Sequence, residues 1–130
     1  MEPLLTIDTN IVVRLLVEDD PMECARAKRL FEDALVFIPA TVFMETEWVL
    51  RAVYGFSRDE IAEAFNRLLR VKSVRVENRS MLETVIAHFT QGLDFADALH
   101  YSMGNAQPMK TFDKTFIKRG KTFGLQVTAV

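Results

Sequence analysis

Four acidic residues, Asp8, Glu45, Asp97 and Asp113, bear the chemistry available to this sequence. Asp8 ends an apolar, β-branched run in LLTIDTNIVVRLL (residues 4–16), and Asp113 ends a second short run in MKTFDKTF (109–116). Glu45 lies in TVFMETEWVLRAVYG (41–55), and Asp97 in GLDFADALH (92–100) beside Asp94. Carboxylates gathered without a counter-charge repel one another and raise each other's pKa. All-oxygen donors select hard divalent ions, Mg²⁺ or Mn²⁺. His88, His100 and the single Cys24 do not make a His/Cys zinc set, and His88 in TVIAHF reads as an ordinary helix residue. One or two divalent ions can make a bound water nucleophilic and neutralise a leaving oxygen.

Each acid also has a plainer reading. A strand-end aspartate before a helix is among the best N-caps, which covers Asp8 and Asp113. Asp94 reads as a cap with Asp97 in the first turn, where negative charge suits the helix dipole, and His100 stands three residues on as a partner for Asp97. Glu47 precedes Arg51 by four and reads as an exposed ion pair. Glu45 has Thr41, Val42, Trp48 and Val49 at the neighbouring helical positions and no cation among them. It therefore reads as a carboxylate on a buried face, costly unless an ion neutralises it.

The elements that must position these acids alternate along the chain. Strands are expected at 4–8 (LLTID), 35–38 (LVFI), 73–77 (SVRVE), 109–112 (MKTF) and 125–130 (LQVTAV). Helices are expected at 21–34, with Ala25, Ala27, Leu30, Phe31 and Ala34 inward, at 57–70 behind a Ser57/Glu60 capping box, at 79–92 ending on Gly92, and at 94–107 before Pro108. Such alternation means βα units and a mainly parallel sheet covered on both faces. Functional crevices of such sheets lie outside the carboxyl ends of the strands, the edge to which both Asp8 and Asp113 belong.

A length of 130 residues fits a single domain over 1–130. The 49% hydrophobic and 26% charged content is globular usage. A lone cysteine, no basic leader at Glu2 and Pro3, and no apolar run long enough to span a bilayer point to the cytoplasm and away from membranes. The net charge of −2 gives no overall pull on nucleic acid, but KTFDKTFIKRGK (110–121) sets Lys110, Lys114, Lys118, Arg119 and Lys121 against one acid.

IDTNIVVRLL, ETEWVLR, DFADALHYS and KTFDKTF occur in an order and spacing that resembles the PIN domain, and especially its VapC-type toxin ribonucleases. The resemblance runs from Leu5 to about Val127. It implies a three-layer α/β/α fold with a central, mainly parallel sheet of about five strands. It places the family's acidic quartet, as catalytic metal ligands for Mg²⁺ or Mn²⁺, on Asp8, Glu45, Asp97 and Asp113. Asp94 matches an accessory acid, and Thr9, Asn10 and Thr111 match supporting polar residues. It also implies cleavage of single-stranded segments of structured RNA such as tRNA or rRNA, a cognate antitoxin that blocks the acidic pocket, and a homodimer. On this reading Asp8, Glu45 and Asp97 hold the principal ion, and Asp113 holds a second or orients the water. Lys114, Lys118, Arg119 and Lys121, with Arg14 and Arg51, are candidate guides for the RNA backbone.

Other classes fit less well. A haloacid-dehalogenase-type phosphatase needs a second aspartate where Asn10 stands, and Asp19 and Asp20 lie too far from Asp8 for a phospho-receiver. The chain has no room for the helical arch of related DNA nucleases. A PIN-like module that binds RNA or a partner without cutting is the alternative, although its usual mark, loss of one of the four acids, is missing. The apolar excess of residues 43–56, with the helix from Ser57, is expected to form a dimer or antitoxin groove.

Overall fold

The computed structural model describes residues 4–105 and 107–130. Glu2 and Pro3, and Ala106 from the expected helix over 94–107, lie outside the described residues. The chain divides into two compact units, Met1–Arg79 and Ser80–Val130.

In the first unit β1 (Leu4–Thr6), β2 (Leu35–Phe37) and β3 (Val74–Arg75) form a parallel sheet in that order. Leu5 stands opposite Val36, and Val36 opposite Val74. Parallel pairing needs crossovers. They are supplied by α1 (Thr9–Val17) and α2 (Pro21–Asp33) after β1, and by α3 (Ala40–Ala52) and α4 (Arg58–Arg70) after β2. The inward face of α2 is Cys24, Ala27 and Phe31 rather than one including Ala25, which is exposed. Positions 24, 27 and 31 follow the i, i+3, i+7 row of one helix face, and Ala25 is a quarter-turn off it. The core is anchored by Phe43 of α3 and Phe65 of α4, both buried, with ring centroids 5.2 Å apart at 87°.

The start of α4 is fixed by its capping box. Glu60 N donates to Ser57 Oγ at 3.1 Å, and Ser57 N donates to Glu60 Oε1 at 2.9 Å. Ser57→Ala is expected to cost about 1 kcal/mol, read as a lower urea midpoint with an unchanged slope. An unchanged midpoint would show that the box contributes nothing.

The second unit holds most of α5 (Arg79–Thr90), then α6 (Phe95–Met103), β4 (Met109–Thr111), α7 (Lys114–Thr122) and β5 (Val127–Ala129). β4 and β5 pair in parallel, with Thr111 opposite Ala129. The chain leaves α5 through Gly92, whose φ of 118° suits glycine. Gly120 lets α7 approach β5, since a Cβ there would meet Val127 Cγ2 at 3.1 Å. Phe89 and Phe95 pack edge to face at 5.5 Å, and His88 stacks on Phe123 at 5.5 Å.

The fold is thus α/β with parallel strands. The central sheet of about five strands takes the form, among the described residues, of a three-stranded and a two-stranded sheet. Every strand is shorter than its apolar run, and after β1, β2 and β4 the run's last residues lead into the next helix. In LLTID, Ile7 is the link and Asp8 the helix cap. Strands of two or three residues offer few ladder hydrogen bonds. Among the described residues no helix is long and apolar enough to cross a membrane.

Candidate metal centre

Asp8 follows β1 and caps α1, with Oδ1 accepting from Ile11 N at 3.3 Å. Asp94 caps α6, accepting from Asp97 N at 3.0 Å. Asp113 follows β4 and caps α7 through Oδ1, which accepts from Thr115 N at 2.9 Å and Phe116 N at 3.1 Å. The capping reading is therefore correct for all three. It leaves each one with a second oxygen: among the described residues no hydrogen bond is made to Oδ2 of Asp8, Asp94 or Asp113. One carboxylate can orient a helix and still offer a charged donor to an ion.

Asp97 is half-buried in the first turn of α6. Its carboxyl is held above the usual range by burial first, then by the charges of Asp94 and Asp113, against a smaller pull from His100. His100 makes no ion pair with it among the described residues. Thus in the second unit three acids influence one another electrostatically. The raised pKa means that Asp97 favours folding below the ordinary carboxyl range. That contribution is lost as pH rises through the raised value. At neutral pH its charge is a net cost to the metal-free protein. Asp97→Asn is expected to raise the Tm of EDTA-treated protein at neutral pH, with the difference vanishing in acid. A Tm that is equal or lower at neutral pH would contradict this origin of the shift.

The structure reverses the two glutamates of α3. Glu45 is exposed, on a face with exposed Thr41 and Trp48. Glu47 is buried at 4% exposure. Its ion pair with Arg51 is present, Nε to Oε2 at 2.7 Å, but the carboxylate is on the inside and the guanidinium reaches out. Burial therefore gives no argument for an ion at Glu45, whose case rests on its place in the motif. The missed signal was Phe43 and Leu50, at i−4 and i+3 from Glu47, both fully buried. The hydroxyl of neighbouring Thr46 is also buried, with no hydrogen-bond partner among the described residues.

The supporting residues differ in what they do. Thr111 Oγ1 accepts from Asp113 N at 3.0 Å and so steadies the acid behind it. Thr9 opens α1, and Asn10 lines a cleft of about 350 Å³ with Ile11, Arg14 and Arg26. Arg14 and Arg51 are engaged elsewhere. Arg14 bonds Asp19 at 2.9 Å and Glu23 at 3.1 Å, with Tyr54 OH on Asp19 at 3.0 Å, and Arg51 holds Glu47. Both are ion-paired within the first unit.

Among the described residues no group of three or more His, Cys, Asp or Glu side chains is drawn together at metal-holding distance. The donor set itself suits a hard divalent cation. Asp8, Asp94 and Asp113 each keep an oxygen in reserve, and the charged form of Asp97 is disfavoured first by burial and then by Asp94 and Asp113.

The family model of the PIN domain matches residues 5–121, a span that holds all four acids and Asp94. No curated protein and no solved structure matches the chain.

Proposed function

The chain belongs to the PIN-domain family, a family of nucleases, and from that premise we propose that it is a divalent-metal-dependent endoribonuclease, the VapC-type toxin of a toxin–antitoxin pair. The observation that carries the reading is the PIN-domain match over residues 5–121, a span that contains Asp8, Glu45, Asp97 and Asp113. A single PIN domain over residues 1–130 accommodates it. The substrate class we assign is structured RNA, tRNA or rRNA, and the location is the cytoplasm.

Asp8, Glu45, Asp97 and Asp113 are assigned as ligands for Mg²⁺ or Mn²⁺, which when bound supplies Lewis-acid stabilisation of the phosphodiester and activation of water. The chain's own contributions follow from their local settings. Asp8 and Asp113 are aimed by the helices they cap, and Thr111 fixes the backbone of Asp113. Asp97, whose charged form is disfavoured by burial and by Asp94 and Asp113, would be relieved by a cation. Exposed Trp48 and Val53 on and after α3 supply apolar surface for the partners we assign, an antitoxin and a second copy of the chain.

Purified protein incubated with a total small-RNA pool is expected to cut in Mg²⁺ or Mn²⁺ and not in EDTA, the fragment ends identifying the RNA. Absence of metal-dependent cleavage from every RNA in the pool, alongside retained RNA binding, would replace this reading with the non-catalytic binding module.

A further inference from the structure

Phe112 is 84% exposed, more than any other large apolar side chain among the described residues. A single exposed apolar side chain is ordinary. This one is unusual for what holds it and what surrounds it. On one side β4 pairs with β5 up to Thr111. On the other, Asp113 is pinned three ways: its N–H bonds Thr111 Oγ1, and its Oδ1 takes the N–H groups of Thr115 and Phe116. The ring is therefore presented to solvent from a fixed backbone, next to an acid assigned to the metal.

Along the sequence the charge beside it is mainly positive, Asp113 being the single acid between residues 110 and 121. Lys114, Lys118 and Lys121 occupy the i, i+4, i+7 row of α7 and are exposed, while Phe116 and Gly120 are buried on the inward side. Among the described residues no carboxylate pairs with any of the three lysines. Arg119, by contrast, is used internally, donating to Gly92 O at 2.6 Å. At 1.5 Å per residue the lysine row runs about 10 Å along the helix. Its neighbours in sequence, Lys110, Thr111, Asp113 and Lys114, are all polar, so the ring stands alone in its stretch of the chain.

An isolated aromatic beside a row of cations is the arrangement that recognises single-stranded nucleic acid: bases stack on the ring and phosphates follow the charges. We propose that Phe112 is a stacking platform for an unpaired RNA base, with Lys114, Lys118 and Lys121 carrying the adjoining phosphates, so that this residue selects unpaired over paired RNA at the cutting site. The inference rests on the ribonuclease reading above. A base within a duplex has both faces covered by its neighbours and cannot offer one to the ring.

The test is fluorescence anisotropy with a short, unstructured, labelled oligoribonucleotide and the same strand annealed to its complement, in Ca²⁺ in place of Mg²⁺ to keep the strand intact. Phe112→Ala is expected to weaken single-strand binding about tenfold or more and leave duplex binding unchanged. Phe112→Trp should restore binding, whereas Phe112→Leu, apolar but without a π face, should not. In a Trp48→Phe background, the emission of Phe112→Trp should be quenched by the single strand and not by the duplex. Wild-type affinity in Phe112→Ala or Phe112→Leu overturns the stacking role. So does loss of a co-expressed protein partner with RNA binding untouched, which would make the ring part of a protein interface. The two readings fail separately: if wild type binds no RNA the ribonuclease assignment falls and takes this one with it. If wild type binds and cuts while Phe112→Ala does both equally well, only the platform falls.

Discussion

Asp8→Asn is expected to lower metal-dependent RNA cleavage by about 10²-fold or more, since an ion's several kcal/mol of charge stabilisation converts to that factor. The substitution isolates the ligand from the cap. Asparagine is as good an N-cap as aspartate, and its side-chain oxygen can keep the 3.3 Å bond from Ile11 N. What it lacks is the negative charge on the second oxygen, the one that no residue of the described chain uses. Stability should therefore stay within about 0.5 kcal/mol of wild type, as for a change that leaves the fold's contacts alone. Asp8→Ala separates the roles from the other side, losing both activity and about 1 kcal/mol of helix stability. Cleavage by Asp8→Asn at the wild-type rate would reduce Asp8 to a cap.

Phe43→Ala is expected to destabilise the protein by roughly 3–5 kcal/mol, a large share of the 5–15 kcal/mol typical of a domain. Phe43 is 1% exposed and meets Phe65, itself fully buried, edge to face at 5.2 Å. Truncation removes the ring, its aromatic partner contact and the volume that holds α3 against α4. Because α3 also carries Glu45 two residues on, the loss should appear first as instability and only secondarily as reduced cleavage. Thr41→Ala, at an exposed position of the same helix, should change stability by no more than about 0.5 kcal/mol. Urea denaturation measures both. A cost for Phe43→Ala below about 1 kcal/mol would mean that the α3–α4 contact is not a main support of the first unit.

Much of the local structure was readable from residues because it is set locally. The Ser57/Glu60 box, Pro21 at the first helical position, the Gly92 stop and the caps at Asp8, Asp94 and Asp113 each involve residues within a few positions of one another. Burial on α3 was not readable in the same way. That helix is apolar around most of its circumference, so the neighbours of Glu45 and of Glu47 look alike in sequence. Only packing of Phe43 and Leu50 into the core decides which acid turns inward. Arg14 is a similar case. Its partners Asp19 and Glu23 lie just beyond the end of its helix, and Tyr54, forty residues on, is brought to it by tertiary structure. The expected strands run past the observed ends because the apolar run continues beyond the last paired residue into the link before the helix, as Ile7 does before the Asp8 cap.

The proposal that Asp8, Glu45, Asp97 and Asp113 are ligands for a divalent ion is tested most directly by Mn²⁺ binding followed by electron paramagnetic resonance on wild type, Asp8→Asn, Glu45→Gln, Asp97→Asn and Asp113→Asn. The account predicts a specific Mn²⁺ signal in wild type that Mg²⁺ displaces and that each variant weakens or loses. A specific site left intact by Asp8→Asn and Asp97→Asn, or no specific binding in wild type at all, would contradict it.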